Sequence, residues 1–207
     1  RLPARVAEED SETPYMTARA IEFIDRAGDE PWCPHFSLIK PHWPYVAPAP
    51  YNDMYGPNQI IPANMSQQEI DNPHPVVGAF QGHEGSENFC REEVRQTVIP
   101  TYMGLITQCD DQLGRLMAFL EERGRLDDTM IVLTSDHGDY LGDHGLIGKG
   151  TYYESSTKVP LIVRIPGLHE SRVHSGPISI EDITATLLHL GGCEVPSYMD
   201  SQPLPDL

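Results

Sequence analysis

The sequence predicts an α/β fold, and three observations predict it. Stretches with helical periodicity alternate with short apolar runs, the apolar runs end abruptly in polar residues and glycine, and the helical stretches carry their own start and stop signals. The clearest apolar run is 130–133 (Met-Ile-Val-Leu), introduced by Asp127, Asp128 and Thr129, and it reads as a buried strand. Ser135, Asp136, His137 and Gly138 follow at once. A strand therefore delivers polar groups to a sheet edge, and in open α/β sheets the carboxyl ends of strands are where ligands bind. Neighbours on a regular strand point to opposite faces. At a strand end beside a glycine, however, a carboxylate and an imidazole can converge on one point, and such a point suits a divalent metal.

Taken in order, residues 1–12 are polar and read as loop. Thr13 looks like an N-cap with Pro14 at the first helical position, and Met16, Ala20, Phe23, Ile24 and Ala27 lie at helical spacing, so this helix turns one face to a core. Gly28 to Pro31 break it. Residues 32–39 are apolar enough for a buried strand that ends in Lys40, Pro41 and His42. That strand end and the one carrying Asp136 and His137 are expected to share an edge of one sheet. From 45 to 89 the prolines, among them Pro48, Pro50, Pro73 and Pro75, forbid long regular elements, and the segment reads as a surface excursion near the mouth of a site. His74 and His83 fall there as loop histidines. Residues 90–123 form the longest helical region, with a stripe of Ile106, Cys109, Leu113, Leu116 and Leu120 and a kink or break expected at Pro100. Residues 159–165 read as another buried strand. A last helix over 181–190 begins with acidic residues and stops at Gly191 and Gly192.

The 207 residues are enough for one substantial domain, and the sequence is read as a single α/β domain over 1–207, incomplete at both ends. With 31 acidic against 14 basic side chains the formal charge is −17, which argues against a nucleic-acid partner. No run reaches membrane-spanning length, so no membrane partner is expected. An anionic ligand would need local positive charge against this field, and Lys40, His42, Lys149 and a metal are the available sources. Cys33, Cys90, Cys109 and Cys193 are scattered and form no CxxC, which points to buried small hydrophobes in a reducing, cytoplasmic compartment.

The wider pattern around Asp136 is more specific. Asp136-His137-Gly138-Asp139, Leu141-Gly142-Asp143-His144-Gly145, Gly148-Lys149 and Tyr153-Glu154-Ser155 ahead of Val159-Pro160-Leu161-Ile162 resemble, in order and spacing, the sulfatase and phosphonate monoester hydrolase branch of the alkaline phosphatase superfamily. The resemblance implies part of an alkaline-phosphatase-like sandwich, with a central, mostly parallel sheet flanked by helices. It also implies a metal-dependent hydrolase of sulfate, phosphate or phosphonate esters acting on a small anionic ester, and a homo-oligomer is compatible with it. By position, Asp136 and His137 match metal ligands, Lys149 the active-site lysine and His42 a substrate-contacting histidine. Lys40 is a candidate substrate-binding residue, although some relatives carry Arg or Tyr there, and Trp43 stands where many carry Pro. Asp139 and His144 belong to the pattern as groups that orient ligands. A carboxylate with an imidazole favours Mn2+, Zn2+ or Fe2+ over Ca2+, and His137, where calcium-dependent sulfatases have Asn, points to the phosphonate or phosphodiester side.

Two parts of the family pattern are absent from the sequence. Members pair early aspartates at the metal and carry a Cys/Ser-x-Pro/Ala-x-Arg segment whose Cys or Ser becomes the formylglycine nucleophile. None of the four cysteines has that context, and Asp110-Asp111 lies inside a helical region. The nucleophile is therefore expected in an N-terminal part outside these residues, and the chain alone is expected to be inactive. The alternative is a non-catalytic, sulfatase-like fragment that serves as a binding or assembly module.

Overall fold

The structure, a computed structural model, describes residues 1–168 and 170–205. It divides into two compact units, Arg1–Pro166 and Gly167–Leu207. In the first, α1 (Glu12–Ala27) packs along the long α5 (Glu92–Glu122), and between them run three short helices, α2 (Gln67–Asp71), α3 (Pro75–Gln81) and α4 (Glu84–Phe89). The strands β1 (Ile131–Thr134) and β2 (Leu161–Arg164) follow, with the single helical turn α6 (Glu154–Thr157) just before β2. The second unit is built on α7 (Glu181–Leu190). Asp182 accepts backbone N–H bonds from Gln202 first and then Ser179, which hold its carboxyl below the usual range, and Thr186 accepts from Leu204.

The helices are where periodicity and caps predict them. α1 is capped by Ser11, two residues before the expected Thr13, and ends at Gly28, whose φ of 57° a side chain would oppose. α5 runs unbroken through Pro100, which is buried. Thr97 and Thr101 turn their hydroxyls back onto Glu93 and Thr97 carbonyls on either side of the N–H that proline lacks. Of the expected stripe on α5, Leu120 is buried and Cys109, Leu113 and Leu116 are half-buried, but Ile106 is 47% exposed. Thr101, Gly104, Leu105, Gln108 and Gln112 are buried instead. Their partners explain this. Gln108 donates to Ser11 and Gln112 to Glu8, fastening the start of α1, while an added Cβ on Gly104 would lie 2.0 Å from the Tyr51 carbonyl oxygen. A close backbone crossing thus replaces an apolar seam, and Phe23 of α1 is left 52% exposed.

The sheet differs most from expectation. β1 and β2 pair antiparallel, Ile131 opposite Arg164 and Thr134 opposite Leu161, and this pair is the whole sheet among the described residues. Residues 32–39 are not a strand, because no neighbouring strand accepts or donates ladder hydrogen bonds along them. All four cysteines are free, and three of them are exposed, so they are not the buried hydrophobes expected. No helix among the described residues is long and apolar enough to cross a membrane.

Candidate active site

Directly after β1, Gly138 brings the chain against α6. Its N–H donates to the Ser156 carbonyl at 2.7 Å, and a Cβ there would lie 2.1 Å from the Ser155 carbonyl oxygen, so only glycine fits. Beside this close approach Asp136 is exposed and His137 half-buried. His137 Nδ1 lies 2.7 Å from the Gly138 carbonyl oxygen, which can only accept, so Nδ1 carries the proton and Nε2 keeps its lone pair. Asp136 Oδ1 accepts the His137 backbone N–H at 3.0 Å, which leaves Oδ2 facing His137 Nε2 at 3.5 Å. Two donor atoms 3.5 Å apart suit one cation with bonds of about 2.1 Å at a roughly tetrahedral angle. The pair fits the implied metal in tautomer, orientation and spacing. Among the described residues no group of three or more His, Cys, Asp or Glu side chains is set to hold a metal ion, so they offer two candidate ligands.

His42 reaches the same place from a segment 94 residues earlier in the chain. Its Nδ1 donates to the Trp43 carbonyl at 2.8 Å, and its Nε2 accepts from Lys149 Nζ at 3.0 Å. The His42 and His137 rings stand 6.1 Å apart, edge to face. Four of the five residues singled out by sequence, Asp136, His137, His42 and Lys149, are thus brought together. Lys40 is directed elsewhere: its ammonium donates to the Pro44 carbonyl at 2.9 Å and lines a cavity of about 240 Å³ with Glu12, Ser11, Val46 and Gln108. Burial holds its pKa below the ordinary lysine value, against the opposing pull of Glu12. Behind it, burial pushes the Cys109 thiol up to about 11.

The loop between His137 and Lys149 is held by its own side chains, and Asp139 and His144, expected to orient ligands, hydrogen-bond to loop backbone and to side chains from the 45–89 segment. Asp139 Oδ1 accepts from the backbone of Leu141 and Gly148, and Oδ2 accepts from the Tyr45 hydroxyl at 2.7 Å. Asp143 accepts from the Asn64 backbone at 2.8 Å and from the Ser155 hydroxyl. His144, at a φ of 55°, stacks on Tyr153 with centroids 3.7 Å apart and meets the Glu69 carboxylate at 3.0 Å. Glu69 is held below the usual carboxylate range, first by the Ser66 backbone N–H and then by His144. His74 and His83 cap α3 and α4, each accepting a backbone N–H. They are structural, as loop histidines were expected to be.

Comparison with known proteins identifies the family. The family model described as Sulfatase matches residues 8–193, and the chain belongs to that family. It is 36% identical to the multifunctional alkaline phosphatase superfamily protein PehA of Trinickia caryophylli, over 98% of this chain and 42% of that protein. It is 32% identical to the choline-sulfatase of Rhizobium meliloti, over 89% of this chain and 37% of that protein. Among solved structures, the phosphonate monoester hydrolase SpPMH from Silicibacter pomeroyi superposes with a TM-score of 0.91 at 35% identity, covering 98% of this chain and 42% of that one. The phosphonate monoester hydrolase of Agrobacterium radiobacter gives 0.89 at 30% identity, covering 98% and 43%. The chain superposes on part of the α/β fold of these hydrolases and spans about two fifths of the length of the relatives it matches.

Proposed function

We propose that the complete protein is a metal-dependent hydrolase of sulfate, phosphate or phosphonate esters, and that these residues supply one half of its active site. The observation that carries the reading is the meeting of Asp136, His137, His42 and Lys149 from two distant segments. Asp136 Oδ2 and His137 Nε2 would hold the cation. A bound divalent cation polarises the ester and lowers the pKa of a hydroxyl nucleophile. Lys149 neutralises charge developing on the oxygens of the transferred group. His42 keeps Nδ1 anchored on the Trp43 carbonyl, and once Lys149 turns from Nε2 to the transferred group, Nε2 takes up a proton from solvent and passes it to the leaving oxygen. The remaining ligands and the formylglycine nucleophile belong, on this reading, to a segment outside residues 1–207. That relatives with this fold are named as hydrolases favours an enzyme over a binding module.

The finer reading is a phosphonate or phosphodiester substrate and Mn2+, Zn2+ or Fe2+. His137 supports it, as does the higher structural likeness to the two phosphonate monoester hydrolases than to the putative sulfatase yidJ from Bacteroides fragilis, at a TM-score of 0.67. The same reading sets β1 in a larger, mostly parallel sheet. Its apolar residues Ile131, Val132 and Leu133 are only partly buried here, and Ile162 on β2 is 63% exposed, so both faces want cover.

The test is leaving-group dependence in the complete enzyme. His42→Ala is expected to lose about 10²–10⁴-fold on alkyl esters and much less on activated aryl esters, whose leaving group needs little protonation. Equal losses on both would remove proton donation from His42. A complete protein that turns over no ester of any of the three classes would remove the reading itself.

A further inference from the structure

The contact between His42 and Lys149 joins a half-buried ring and an exposed ammonium on separate segments, and Lys149 has no other side-chain hydrogen bond among the described residues. What joins the segments lies one layer below. Tyr45, three residues after His42, is gripped between the Phe89 and Tyr102 rings, each with its centroid 6.0 Å away. Its hydroxyl donates to Asp139 Oδ2, across 94 residues of sequence, at 2.7 Å. The other oxygen of Asp139 takes the N–H of Gly148, the residue immediately before Lys149, and that of Leu141. Gly148 is held on its other side as well, because its carbonyl accepts from Tyr140 N–H at 2.9 Å. One carboxylate therefore fixes the backbone that launches Lys149 and ties it to the backbone that launches His42.

We propose that Tyr45 and Asp139 are positioning residues that set the register of Lys149 against His42. The proposal deepens the hydrolase reading and rests on it for the catalytic consequence, but the register itself is a property of these residues. Tyr45 touches neither the metal pair nor the His42–Lys149 contact, so its effect travels through Asp139 and Gly148. Displacement of a reacting group by a fraction of an ångström to an ångström costs about ten- to a hundredfold in rate.

Tyr45→Phe is the informative variant, since it deletes one hydroxyl and keeps the ring between Phe89 and Tyr102. In the complete enzyme it is expected to lower kcat about tenfold with KM and bound metal unchanged, and to have no further effect once Lys149→Ala is present. A purely structural role would give the same fractional loss in both backgrounds, and that outcome would overturn the proposal. The second readout does not need turnover. In nitrogen-15 spectra of the complete protein, the His42 imidazole signals in Tyr45→Phe are expected to move toward their positions in Lys149→Ala, while those of His74 and His83 stay in place. Unmoved His42 signals would overturn the register whatever the enzyme does with esters, whereas moved signals in a protein without esterase activity would leave the register standing and remove the hydrolase reading.

Discussion

The loop 136–149 and the strand pair that carries it are held by different means. In the loop, Asp139 and Asp143 together accept five hydrogen bonds, Tyr140 and Leu146 are buried to 2% and 1% exposure, and Gly138 is pressed against α6. In the strand pair, the ladder is made but both faces stay partly open, with Ile162 at 63% exposure. The loop is thus fastened by hydrogen bonds from within these residues, while the apolar strands beside it are left without full cover. A catalytic loop can carry its own scaffold of charge-assisted hydrogen bonds, whereas a sheet needs neighbours that come from elsewhere.

The largest expected effect breaks the loop side of this contrast. Gly138→Ala forces a methyl into the Ser155 carbonyl, and overpacking against backbone is expected to cost about 3 kcal/mol, read as a fall in denaturation midpoint. A loss under about 0.5 kcal/mol would mean that α6 yields easily and the loop is not tightly held.

The strand side is sharpened by measuring one substitution in two settings. Ile162→Thr is expected to change the stability of residues 1–207 by less than about 0.5 kcal/mol, as at an open surface. In the complete protein the same change is expected to cost about 1.5–3 kcal/mol, because the side chain would then be covered. Equal, small effects in both would leave the larger sheet without support.

The smallest effect concerns Tyr45. Burial first, and then the Asp139 carboxylate, hold its phenol well above the ordinary tyrosine value, and burial pushes Tyr102 up to about 12. A raised folded pKa means that the stabilisation is fully present below the unfolded value of about 10 and is lost as pH rises beyond it. Tyr45→Phe is therefore expected to cost about 1 kcal/mol at pH 7 and to show a shallower loss of stability above pH 10 than the parent, with Tyr102 still contributing a slope. An unchanged slope in alkaline melts would show that the phenol ionises as freely in the folded state as in the unfolded one.

How far these regions were legible in sequence follows the same division. α1, α5 and α7 could be read to within about two residues because periodicity and caps are local signals, and the polar run after β1 marked the site for the same reason. On α5, Leu120 was read as buried and is, but the rest of the buried face was missed because Gly104, Gln108 and Gln112 pack by close crossing and hydrogen bonds, which hydrophobic periodicity does not register. Residues 32–39 were misjudged because a strand exists only through a partner, and composition names none. Lys40 was placed beside His42 by adjacency, yet its side chain turns to the Pro44 carbonyl. Tyr45 was passed over altogether, since nothing in a sequence without an alignment links it to Asp139 across 94 positions.

The central claim is a division of labour in which His137 serves the metal and His42 serves the substrate. Metal analysis of the complete protein tests it most directly. His137→Ala is expected to emerge with its metal lost, and His42→Ala with the same metal content as the parent, both having lost activity. Full occupancy in His137→Ala, or loss of metal from His42→Ala, would contradict the assignment.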